Sequence, residues 1–208
     1  MTFSTYSTPA HLNAAQDYLD ASNFLLTSPK SKRQRPTFSA PANFLLAHGA
    51  ELTFKAYLSW SGTKDSDVVA VGHNISRAFQ KIKANSPSFA KEVEQMVASK
   101  WRKYLQEARK TQVDALVAKG LNPETDFASL GIPSNSDIGE GLPTFARDLQ
   151  WLSDRHKKNG GRFRYLEFGL DTKKVIQVFG LNEPTVPNSI YWGCEFILKF
   201  LNIKLRQS

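Results

Sequence analysis

His48, Glu51 and Lys55 stand three and four residues apart in the segment Asn43 to Trp60, NFLLAHGAELTFKAYLSW, and Gly72-His73-Asn74-Ile75 follows after a glycine-containing break. On a helix turning about 100° per residue, the three side chains fall within about 60° of one another, with Phe44 and Leu58 on the same line. Such a set can do acid–base work: a histidine acts as general base, a carboxylate orients it, and a lysine holds a phosphate. His73, Glu51 and His48 are therefore the candidate catalytic residues, and Lys55 is a candidate phosphate ligand. The plain alternative is an i,i+4 Glu51–Lys55 pair with His73 at a helix start, all serving to fix helix register. That plain reading is the favoured one, because ion-pair networks perturb titration without catalysing anything.

The element that must position these groups is apolar around most of its circumference. Leu45, Gly49, Leu52 and Ala56 fill one neighbouring sector, and Leu46, Ala50, Thr53, Tyr57, Ala47 and Phe54 cover the opposite side. A helix of this kind belongs inside a bundle, so its ionisable stripe is either a water-facing slot or a paired interior site. Gly49 reads as a point of close helix packing.

The pattern A-H-x-x-E-x-x-x-K-A-x-L of Ala47 to Leu58, a short connection containing Gly, and Gly72-His73-Asn74-Ile75 opening another helix resemble the HEPN superfamily of small helical domains. Ala14 to Leu26, AAQDYLDASNFLL, is similar to the first helix of that family, and Phe163-Arg164-Tyr165 resembles an Arg-Tyr pair found after its later helices. The recognisable pattern covers residues 10–84. The resemblance implies an all-α, up-and-down helical bundle filling residues 1–208 as one domain, with one long helix and an irregular insertion. It implies a homodimer or a protein partner, and roles among ribonucleases, toxin–antitoxin or defence components, nucleotide-associated partners and inactive interaction modules.

Catalytic members of that family carry an arginine a short spacer before a histidine. None of His11, His48, His73 and His156 has one there; Arg155 adjoins His156, and Arg147 stands nine residues before it. A ribonuclease would need a rearranged site, so the expected function is a binding or regulatory module with RNA or a nucleotide as ligand. The alternatives are a metal-independent ribonuclease cleaving RNA by transesterification, and a structural protein-interaction subunit.

The charge balance supports the ligand class. Lys and Arg number 27 against 19 Asp and Glu, a net charge of +8. Lys32, Arg33 and Arg35 lie in a proline-bracketed cluster, and Arg155, Lys157, Lys158, Arg162 and Arg164 in a second with two glycines. With Lys55 and with Tyr165 to stack on a base, these are the candidate nucleic-acid-binding residues, acting mainly through salt-dependent counterion release. A third set, Lys100, Arg102, Lys103, Arg109 and Lys110, shares a helix with Trp101 and Tyr104. For any one cluster alone, the simpler reading is a solvated surface.

Hydrophobic residues make up 41% of the 208, including 14 Phe, 6 Tyr and 4 Trp, ample for a packed core and inconsistent with a wholly disordered chain. Cys194, the one cysteine, lies among bulky apolar residues and reads as a buried small hydrophobe. The histidines show no zinc spacing and no carboxylate cluster suits a hard cation, so neither metal nor cofactor is expected. No signal segment or membrane-length apolar run is seen, which gives a soluble, cytoplasmic expectation with no membrane partner.

Helices are expected over 9–27, with Leu12, Ala15, Leu19 and Leu26 on one stripe, and over 41–61, ended by Gly62. Between them, 28–40 reads as a basic loop. Asp67 or Gly72 opens the helix carrying His73, Ile75, Phe79 and Ile82, and Asn85-Ser86-Pro87 closes it. Residues 88–119 form a helix of about 45–50 Å at 1.5 Å per residue. An irregular stretch spans 120–143. Helices then follow over 144–157, burying Phe145, Leu149 and Leu152, and over 186–205, burying Ile190, Cys194, Ile197, Leu198 and Leu201; 175–179 is a short strand or an apolar anchor.

Overall fold

The computed structural model describes residues 8–27, 35–122, 125–126, 144–157 and 186–207. Among these residues the chain is all-α, with seven helices and no strand: α1 (Thr8–Thr27), α2 (Arg35–Trp60), α3 (Asp65–Ala70), α4 (Ile75–Asn85), α5 (Pro87–Val117), α6 (Phe145–Lys157) and α7 (Val186–Gln207). No helix there is long and apolar enough to cross a membrane. The expected loop over 120–143 and the segment 175–179 fall almost wholly outside the described residues.

Leu12, Ala15, Leu19 and Ser22 recur at helical spacing along α1, and all four are buried against the bundle. The α1–α2 contact is the most extensive pairing in the fold. Gly49 makes it close: a Cβ there would stand 2.8 Å from the Leu19 side chain. The Ser22 hydroxyl donates to the Ala42 carbonyl at 2.9 Å, so the one polar group on the buried stripe is satisfied. Helix α2 also packs on α3, α4, α6 and α7, which explains why its sequence is apolar on nearly every side.

Helix α2 starts at Arg35, six residues before the expected 41, and the basic loop is shorter by as much. Pro36 occupies the second position, where a missing N–H costs nothing and the fixed φ suits the first turn. Pro41 sits inside the helix, in its second turn, and breaks nothing beyond the one bond it cannot donate. The far end matches expectation. Gly62 has φ +81°, Gly62 N–H donates to Ser59 at 3.1 Å and Thr63 N–H to Leu58 at 3.0 Å, a Schellman closure that only glycine accommodates without strain.

The segment after Gly62 departs from the sequence reading. A separate helix, α3, spans Asp65–Ala70, and His73 stands in the turn between α3 and α4 rather than on a helix. Gly72, at φ +60°, reverses the chain there. Asn74 is the reason α4 begins where it does: its side-chain oxygen accepts from Arg77 N–H at 3.0 Å, the N-cap bond to the third helical residue. The same oxygen accepts from the Ser153 hydroxyl of α6 at 3.0 Å, which fastens the turn to a helix far along the chain.

An aromatic spine runs through the core from Phe54 to Phe79 and on to Phe145, with ring centroids 5.5 and 5.0 Å apart. A second group stacks Tyr57 on Phe89 at 4.4 Å, with Phe200 of α7 against Phe89 at 4.6 Å. Every residue expected in the buried stripes of α6 and α7 is buried. Cys194 is fully buried and burial pushes its thiol well above the usual range, so it is a core residue. Gly193, beside it, lets α7 meet Phe145 of α6.

Candidate functional site

The stripe on α2 is a paired interior site. Glu51 and Lys55 retain only 5% and 8% exposure, and Lys55 Nζ lies 2.6 Å from Glu51 Oε1. Their spacing of one turn makes the pair local and independent of the rest of the fold. Two imidazoles converge on the same carboxylate from elsewhere. His73 Nδ1 is 3.1 and 3.0 Å from the two Glu51 oxygens, and His156 Nε2 is 3.2 Å from Oε2.

Burial pushes the Glu51 carboxyl up, but hydrogen bonds from His156, Lys55 and His73 outweigh it and hold the group at about 2. Glu51 is then ionised at neutral pH and can only accept, so both imidazoles must donate to it. The proton of His73 therefore sits on Nδ1 and its Nε2 points away from Glu51. That ring is the exposed member: its side chain is 71% accessible, against 4% for His156. A buried carboxylate thus fixes the tautomer and pose of a histidine that faces solvent.

His48 joins through ring contacts. Its centroid is 4.9 Å from that of His156, edge to face, and 5.5 Å from Tyr18 of α1, stacked. Phe44 closes the side, 4.5 Å from His48. His156 also meets His73 edge to face at 5.9 Å. One donor atom from each of His48, Glu51 and His156 lies within 4.8 Å of the others.

All three candidate catalytic residues, His73, Glu51 and His48, are thus in one place, with Lys55. His156 is the member that the sequence reading missed as a site residue. It lies 105 residues from Glu51, and its one signal was adjacency to the second basic cluster.

The candidate nucleic-acid ligands are mostly beyond what the structure describes: Lys32, Arg33, Lys158, Arg162, Arg164 and Tyr165 lie outside the described residues, and Arg35 and Lys157 contribute backbone only. Arg155 is half-buried, with its guanidinium over the Trp151 ring at 4.1 Å. In the α5 set, Lys100 bridges to Glu195 of α7 at 3.1 Å and Lys103 approaches Glu107 at 4.0 Å, while Arg102 and Lys110 are exposed.

Comparison with models of protein families, with curated proteins and with solved structures found no match for this chain.

Proposed function

We propose that the chain is an RNA-binding module of HEPN-like architecture whose contact point is the His73 turn. The observation that carries this is the exposed His73 ring, clamped at Nδ1 by buried Glu51 and turned outward at its other nitrogen. Positive charge stands beside it: the turn is at the N-terminal, positive end of the α4 dipole, and Arg77 is exposed in the first turn of α4. In the sequence, His156 of the same site falls within the basic run Arg155 to Arg164. The all-α fold and the tight α1–α2 pairing support the architectural part of the reading. A net charge of +8 favours a polyanion.

A second reading is favoured by the Glu51–His73 hydrogen bond itself, since a carboxylate that orients an imidazole is a recurring acid–base arrangement. In RNA the 2′-hydroxyl would give its proton to His73 Nε2, the 2′-oxygen would attack phosphorus, and the P–O5′ bond would break. Water would supply the proton for the departing 5′-oxygen, leaving a 2′,3′-cyclic phosphate.

One experiment separates the two. Labelled single-stranded RNA is incubated with the protein in EDTA at two salt concentrations, alongside His73→Ala. Salt-sensitive binding weakened by the substitution, with RNA intact, supports the module. Cleavage that disappears in folded His73→Ala establishes the second reading, and absence of both signals refutes both.

A further inference from the structure

Of the four histidines in the chain, His73 is the exposed one; His11 and His48 are half-buried and His156 is buried. The backbone on either side of it is fixed. Gly72 reverses the chain at φ +60°, and the Asn74 side chain caps α4 while accepting from Ser153 of α6 at 3.0 Å. The ring is fixed as well, since Nδ1 reaches both Glu51 oxygens at 3.1 and 3.0 Å. Lys55 and His156 hold the same carboxylate, at 2.6 and 3.2 Å. An imidazole oriented through one nitrogen by an ionised carboxylate, with its other nitrogen turned to solvent, is a nucleophile that has given up most of its freedom before any reaction.

In the neutral ring the Nδ1 proton belongs to the bond with Glu51, so the lone pair is on Nε2. Bond formation at Nε2 makes the ring positive, and the Glu51 carboxylate stands where that charge develops. The surroundings suit an incoming anion. Arg77 is exposed, and its Nη1 donates to the Ala70 carbonyl at 3.4 Å, which holds the guanidinium at the end of α3, three residues before His73, and leaves its other N–H groups to face phosphoryl oxygens. The N-terminal end of α4 adds partial positive charge.

We propose that His73 Nε2 accepts a phosphoryl group from a donor of the phosphoramidate class, with Glu51 as its positioning residue. The Nε2 lone pair forms the new bond to phosphorus as the donor P–N bond breaks. The donor nitrogen, already protonated, leaves as ammonia or an amine, and Nδ1 keeps its proton and its bond to Glu51. The product carries about two negative charges on its phosphoryl oxygens. At the turn assigned above to RNA contact, that charge would repel a polyanion; this consequence rests on the RNA reading, whereas the transfer itself does not.

The test is phosphoryl transfer to the full chain without RNA. Protein is incubated with potassium phosphoramidate in EDTA at neutral pH. Mass spectrometry counts the phosphoryl groups and maps the histidine, and phosphorus NMR separates the Nε2 from the Nδ1 product. One group per chain is expected, on His73 Nε2, formed at least about tenfold faster than on N-acetylhistidine under the same conditions. Glu51→Gln, shown by circular dichroism to be folded, should slow the transfer and admit the Nδ1 product. A wild-type chain that reacts no faster than N-acetylhistidine, is labelled at His73 Nδ1, or is labelled as readily on His11 or His48 overturns the assignment. A folded Glu51→Gln chain with wild-type rate and only the Nε2 product overturns the part given to Glu51. The wild-type reaction decides even if the variant fails to fold, and RNA binding can fail with the transfer intact.

Discussion

Glu51 and His156, 105 residues apart in the chain, meet in the interior through a 3.2 Å hydrogen bond, and Lys55 neutralises the same carboxylate from one helical turn away. Breaking such a buried pair from one side leaves a charge without compensation, which costs roughly 3–5 kcal/mol. Glu51→Leu alone should lose stability on that scale in urea denaturation. The double change Glu51→Leu with Lys55→Met removes both charges and should recover most of the loss. A double variant no more stable than the single one would show that Lys55 is solvated well enough to need no partner.

Two carboxyls set opposite pH limbs. Glu51 is held at about 2, below its ordinary value of 4.5, so its contribution is present above pH 4.5 and is lost as pH falls toward 2. Asp148 is buried, and desolvation raises it to about 6 from 3.8 against the Ser189 hydrogen bond and the nearby Arg147 charge. Its contribution is complete below 3.8 and disappears as pH rises through 6. Each limb amounts to about 3 kcal/mol at the conversion of one pKa unit to about 1.4 kcal/mol. Unfolding midpoints in EDTA should peak near pH 4, between the unfolded-state values of the two groups, and fall from there to pH 6. Asp148→Asn should flatten the limb above that peak and leave the acid limb intact; a wild-type midpoint rising from pH 5 to 7 would contradict the assignment.

Gly193 and Gly49 should differ in their tolerance of alanine. A Cβ on Gly193 falls 2.4 Å from Cζ of Phe145, a ring wedged in the core, whereas one on Gly49 meets the Leu19 side chain at 2.8 Å. Alanine gains about 1 kcal/mol of helix propensity at either position. Overpacking costs about 1–3 kcal/mol, and the rigid ring has less room to move. Gly193→Ala should therefore lower the thermal midpoint more than Gly49→Ala does.

RNA affinity should fall with salt. Replacing Lys32, Arg33 and Arg35 together by alanine should reduce the slope of log affinity against log salt by up to about 2 for single-stranded RNA, if all three contact phosphate. Filter binding at several salt concentrations measures this. An unchanged slope would assign the cluster to the solvated surface.

The sequence carries some of this fold openly and hides the rest for physical reasons. The buried stripes of α6 and α7, the close approach at Gly49 and the convergence of His48, Glu51 and Lys55 were legible, because each is a relation within one helix, where a period of 3.6 residues fixes geometry. The start of α2 departs from the expectation because a proline does not always mark a helix boundary: Pro36 fits the first turn, and Pro41 in the second turn forfeits a single backbone bond. His73 was expected on a helix, yet the side chain of Asn74 caps α4 one residue later. The part played by His156 was invisible, since no spacing rule relates residues brought together by packing across 105 positions.

Helix α6 has 13 residues, a length at which an isolated helix is marginal in water. It supplies His156 to Glu51, Ser153 to Asn74 and Asp148 to Ser189, so three separate polar attachments depend on one short element. During folding, α1 and α2 can pair across a short stretch of chain, whereas α6 gains its stability only on docking to a surface already formed. The polar centre is therefore assembled last, and a chain in which α6 has come away would keep its Glu51–Lys55 pair and lose the third imidazole.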